Sequence, residues 1–167
     1  VTLTRGIKSL PGVPLDSSYT WSFTILADTS AGVFDTTTFT SIDSGAYWVV
    51  AADLGGDSCI DMATANTGAN TVSILHNNCN RTFTRGSDSQ VGTSPRSIFA
   101  ADFDNDGHID LATANSGSQD ISILLNNGDG TFQTPRYCPI NGNPTPIWAA
   151  DFDLDGDQDI AIGGITI

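Results

Sequence analysis

Asp102, Asp104, Asp106 and Asp110 stand at positions 1, 3, 5 and 9 of the string DFDNDGHID, and Asp151, Asp153, Asp155 and Asp159 hold the same positions in DFDLDGDQD. As such a loop curls, the alternate side chains at positions 1, 3 and 5 converge. Gly107 or Gly156 at position 6 permits the sharp turn, and position 9 returns a last carboxylate. The backbone carbonyls of His108 and Asp157, at position 7, would complete an oxygen-only shell. Hard oxygen donors without imidazole or thiolate side chains select calcium over zinc or copper. Electrostatics points the same way, because two like charges about 4 Å apart repel by on the order of 4 kcal/mol at an effective dielectric of about 20. Without a divalent ion such a loop is expected to be loose.

A third copy, DLGGDSCID from Asp53 to Asp61, departs from the pattern. Gly55 replaces the carboxylate at position 3 and Ser58 replaces the glycine at position 6. That leaves Asp53, Asp57 and Asp61, with the carbonyl of Cys59, for weaker binding or none. An EF-hand would need Glu at its twelfth position and helical flanks, but counting from Asp102 and Asp151 reaches Thr113 and Ile162 in strand-like surroundings.

The loops belong to a longer repeat. Asp53, Asp102 and Asp151 are 49 residues apart, and the same shift superimposes Phe34, Phe83 and Phe132. It also lays Ala51-Ala52 on Ala100-Ala101 and Ala149-Ala150, and DMATAN from Asp61 on DLATAN from Asp110, with no gap from Phe34 onward. A period of that length marks an array whose units bury apolar faces against one another. In the middle copy, Arg96–Ala101 and Asp110–Ala114 read as strands joined by the acidic loop. Asp120–Leu125 alternates as a third strand, and Asn126–Gly130 signals a hairpin. Thr131–Ile140 supplies a fourth, outer strand, with Pro135 tolerated at an edge. The fold class expected is therefore all-β, a partial beta-propeller of four-stranded antiparallel blades on a 49-residue repeat. Complete blades should run over Tyr47–Val91 and Arg96–Ile140, with the Ala-Ala pairs on crowded innermost strands and the repeated Phe between blades. A closed propeller needs roughly four to eight blades, so the chain reads as an excerpt whose first partners are the remaining blades of a parent protein.

Composition narrows the function. All 19 acids are Asp and the formal net charge is −13, yet twelve of them lie in the three loops, leaving the remainder near neutral. No basic patch is available to neutralise phosphates, so nucleic acid is excluded as a partner, and no apolar run supports direct membrane insertion. Two His are present, His108 inside an acidic loop and His76 at a strand end, where a plain surface role is expected. With no G-x-S-x-G, H-E-x-x-H or phosphate-binding loop, no catalysis is expected. Cys59, Cys79 and Cys138 form no metal-type pair. A Cys59–Cys79 disulfide is one alternative, but the preferred reading is small apolar residues or free thiols.

The string AADFDNDGHIDLATAN from Ala100 to Asn115, followed by ISILLNNGDGTF from Ile121 to Phe132, resembles the FG-GAP/VCBS repeat family, which is related to the propeller of integrin alpha subunits. The resemblance implies a calcium-bearing propeller in exported or cell-surface proteins, with the calcium ligands on the positions named above. Thr2–Phe23 instead resembles the closing strands of a bacterial Ig-like domain, so the expected division is residues 1–31 as that tail or a linker and residues 32–167 as the repeat segment. The function implied is binding or adhesion toward a protein or glycan, with structural Ca2+ and an extracellular or cell-surface location. The alternative is a non-catalytic part or scaffold of a secreted polysaccharide-active enzyme.

Overall fold

Short runs of Val, Ile, Thr and Ala bounded by Gly, Asn and Asp favour strands. The computed structural model, which describes residues 21–24, 28–29, 33–34 and 39–164, contains strands and no helix among them. Near the N-terminus β1 (Trp21–Thr24) pairs antiparallel with β4 (Phe39–Ile42), and β2 (Asp28–Thr29) pairs with β3 (Val33–Phe34). The β1–β4 ladder thus spans the expected division at residues 31 and 32. Most of the stretch read as an Ig-like tail, residues 1–20, lies outside the described residues.

The first blade orders β5 (Ala46–Ala52), β6 (Asp61–Asn66), β7 (Thr71–Asn77) and β8 (Phe83–Arg85), with β9 (Ser89–Gln90) pairing the start of β7. A second blade follows as β10 (Pro95–Ala101), β11 (Asp110–Asn115), β12 (Asp120–Leu124) and β13 (Arg136–Pro139). Then comes a half blade, β14 (Ile147–Ala150) with β15 (Asp159–Ile162). All neighbours are antiparallel, and the repeat persists in fine detail. A bulge falls between Ala46 and Trp48 in one blade and between Pro95 and Ser97 in the next. Asn70 and Gln119, again one period apart, both take the left-handed conformation in the β6–β7 and β11–β12 turns. The chain therefore forms a partial β-propeller.

The outer strand of the second blade is shorter than Thr131–Ile140. β13 starts at Arg136, directly after Pro135, and only an isolated Asn126–Phe132 bridge precedes it. Proline has no N–H to give the ladder, so pairing resumes beyond it. In the first blade the outer strand is likewise split, into β8 and β9.

Two apolar interfaces hold the blades together. One gathers Ala63, Ala65, Val72 and Ile74 of the first blade with Ile98, Leu111 and Leu124 of the second, and half-buried Phe132 packs against it. The other gathers Ala112, Ala114 and Ile121 with Ile147, and Phe103, Ile160 and Ile162 pack beside them. Strand alternation explains the split, because Leu111 and Ala112 point to opposite faces of β11. The second blade is thus buried on both sides, with Ala on one face letting the next sheet approach closely. β10 lies against β5 on one side and β14 on the other, as innermost strands around an axis must. Leu111 is completely buried. Leu111→Ala should therefore lower unfolding free energy by about 2–5 kcal/mol, read by denaturant titration.

Candidate metal centre

Each acidic loop spans the end of one strand and the start of the next, closed by the pairs Ala52–Asp61, Ala101–Asp110 and Ala150–Asp159. The backbone enters the left-handed region at positions 4 and 6 of every copy: Gly56 and Ser58, Asn105 and Gly107, Leu154 and Gly156. Position 1 enforces that curl. Asp102 accepts N–H bonds from Asp106 at 3.2 Å and Gly107 at 2.9 Å, and Asp151 accepts from Asp155 at 3.2 Å and Gly156 at 3.1 Å. Asp53 does the same for Asp57 at 3.2 Å and Ser58 at 2.7 Å. The loop shape is therefore written into carboxylate–amide bonds of the loop itself.

Position 9 joins the loop to the sheet. Asp110 is fully buried; its Oδ2 accepts the Phe103 N–H at 2.9 Å and its Oδ1 accepts the Asn126 N–H at 2.7 Å. Burial raises its pKa, the two backbone N–H bonds oppose that, and the charges of Asp104 and Asp106 push it further up. A cation among these groups would offset both the desolvation and the repulsion.

The structure brings together carboxylate oxygens of Asp102, Asp104 and Asp110 within 4.8 Å of one another, and likewise those of Asp151, Asp153 and Asp159. With Ca–O distances of about 2.3–2.6 Å, oxygens so spaced fit around one calcium-sized ion. Asp106 and Asp155 stand outside these triads. Each turns an oxygen to its own loop, accepting from His108 N–H at 2.8 Å and Asp157 N–H at 2.9 Å. The second and third loops also touch: the Asn105 amide donates to the Asp157 carboxylate, so Asp157 has a side-chain role besides its position 7 carbonyl.

Sequence reasoning missed Asn126, which is 2% exposed at the start of the β12–β13 hairpin. Its amide donates to Ile109 O at 2.9 Å in its own loop and to Leu54 O at 2.8 Å in the first loop, tying the second blade to the acidic loop of its neighbour. Its Oδ1 accepts the N–H groups of Gly128 and Gly130. Asn77, one period earlier, donates to Ile60 O at 3.1 Å, so the recurring Asn was the available signal. His76 is also more than a surface residue: its ring is half-buried between Gly86 of its own blade and Gly130 of the next, where a Cβ would collide with it.

The first loop differs. Cys59 and Cys79 form a disulfide with Cα atoms 5.7 Å apart, which corrects the expectation of free thiols; Cys138 is free and exposed. Spacing alone could not reveal the pairing, because it depends on the β7–β8 hairpin folding back over the loop. Asp57 lies beside the two sulfurs, but bridged sulfurs are not thiolate ligands.

No curated protein matches the chain. The sequence model of the FG-GAP-like repeat matches residues 56–113 and again residues 102–162, together more than half of the chain. Both matches begin within one acidic loop and end beyond the next, so the family unit coincides with the observed step from blade to blade. The chain belongs to the FG-GAP-like repeat family, as a propeller-like repeat segment.

Proposed function

We propose that this segment is a calcium-braced part of a propeller in an exported or cell-surface protein, binding a protein or glycan partner without catalysing a reaction. The observation that carries this reading is the pair of carboxylate triads, Asp102 with Asp104 and Asp110, and Asp151 with Asp153 and Asp159. In this reading the ion draws in Asp106 and Asp155 and the carbonyls of His108 and Asp157. Calcium is structural there: it cancels charge at the junction of two strands and leaves the blade faces rigid.

The location has its own support. A disulfide persists in oxidising compartments, and extracellular modules hold calcium with dissociation constants of about 0.1–1 mM. For partner binding, the supporting feature is a pocket of about 260 Å³ lined by Tyr47, Trp48, Arg96, Ser97, Thr145 and Pro146. These are the same two repeat positions taken from three successive units, and they converge beside the innermost strands. Tyr47 and Trp48 are 56% and 43% exposed, and Arg96 makes no ion pair among the described residues. Aromatic faces beside a free guanidinium suit sugar rings or polar side chains of a protein.

Calorimetric titration should find two ions per chain. Asp104→Ala should weaken the second site by on the order of tenfold or more while sparing the third, since affinity follows ligand charge count. No calcium uptake by the native chain would refute the metal assignment. On glycan arrays and in pull-downs with extracellular proteins, Trp48→Ala should abolish whatever binding the native chain shows, with calcium affinity unchanged. Binding that survives Trp48→Ala places the partner surface elsewhere.

A further inference from the structure

The first loop keeps the backbone shape of the second while lacking its donor set. Gly56 and Ser58 have φ of 70° and 69°, close to the 57° and 88° of Asn105 and Gly107. Gly55 brings no carboxylate to position 3, and its N–H is turned onto Asp61 Oδ2 at 2.9 Å, an oxygen that also accepts the Leu54 N–H at 2.9 Å. The other Asp61 oxygen accepts the Asn77 N–H at 2.7 Å, and the residue is 2% exposed. Asp110 in the second loop also accepts two backbone N–H bonds, so what sets Asp61 apart is the third, from Gly55, at the position where the later loops bring a carboxylate. The acidic triad of the later loops does not recur among Asp53, Asp57 and Asp61.

A second contact also sets the first loop apart. Cys59 and Cys79 are one period before His108 and Gly128. In the second blade the His108 ring lies over Gly128, so closely that a Cβ there would be 2.7 Å from the ring. The same two positions touch in both blades, through packing in the second and through a covalent bond in the first. Cys79 moreover adopts φ of 59°, in the region where Gly128 has 88°. Ser58 and Cys79 thus hold left-handed conformations that glycine takes without penalty in the second blade, and a cross-link between loop and hairpin keeps them there.

We infer that the Cys59–Cys79 disulfide replaces the metal ion in the first repeat, so that this loop is closed by a redox-sensitive bond and takes no calcium. The contrast with the second loop rests on the calcium reading proposed above. The claim about the first loop does not. A cross-link spanning 20 residues restricts the unfolded chain whatever the ionic conditions, whereas an ion stabilises only while it is present at sufficient concentration.

Hydrogen exchange on the whole chain, followed at residues 53–61 and 102–110, separates the two braces. Chelator should speed exchange at 102–110 by roughly tenfold or more and leave 53–61 unchanged while the disulfide is intact. Reductant with calcium present should do the reverse, and Cys59→Ser with Cys79→Ser should match it without reductant. Loss of protection at 53–61 on chelation alone, or none on reduction, overturns the inference, as does a third calcium ion that Asp53→Asn removes. If chelator leaves 102–110 unchanged, the calcium reading fails for the second loop, while the reductant arm still decides the first.

Discussion

The structure depends on the aspartate at position 9 of each acidic loop. Asp61 and Asp110 are buried carboxyl groups that accept N–H bonds from the loop before them and from the hairpin that follows the next strand. A buried carboxylate is costly unless paired, and here backbone dipoles pair it. Three segments are thereby brought to one point: the loop, the strand beginning at the aspartate, and the Asn that opens the hairpin 16 residues on. Asp159 makes the loop half of this arrangement, accepting the Phe152 N–H at 2.9 Å.

Packing between blades extends that local order. Because each central strand alternates between two interfaces, the sequence LATA can present Leu111 to the first blade and Ala112 and Ala114 to the half blade. Polar residues in the same strands are buried as well. The Thr113 hydroxyl donates to Asn115, whose amide donates to Asp120 and Ser122; Thr64, Asn66, Thr71 and Ser73 repeat the pattern. Among the described residues no buried side-chain polar atom lacks a partner. Such networks accept little variation, since removing one member strands the others in a dry interior. That accounts physically for the near identity of DMATAN and DLATAN.

The three loops meet one geometric demand in different ways. All curl through left-handed residues at positions 4 and 6, and all use the first aspartate to gather backbone amides. The second and third leave oxygens of positions 1, 3 and 9 facing one another. In the first, position 3 has no carboxylate, its N–H turns onto the position 9 aspartate, and a disulfide links loop to hairpin. Repeats of one fold can therefore share a loop backbone while differing in side-chain donors and cross-links.

The 49-residue period, the three inner strands of each blade and the acidic loops were legible in the sequence, because alternation, turn residues and repetition are local properties that each unit carries whole. The same signals located the aspartates but not their orientations. That Asp106 turns toward His108 N–H while Asp104 joins Asp102 and Asp110 follows from the handedness of individual residues in the curl. Nor did the sequence reveal that Asn126 reaches Leu54, 72 positions away, or that Cys59 meets Cys79. Such contacts form between loops that only the stacking of one blade on the next, or the folding of a hairpin over its own loop, brings within bonding distance.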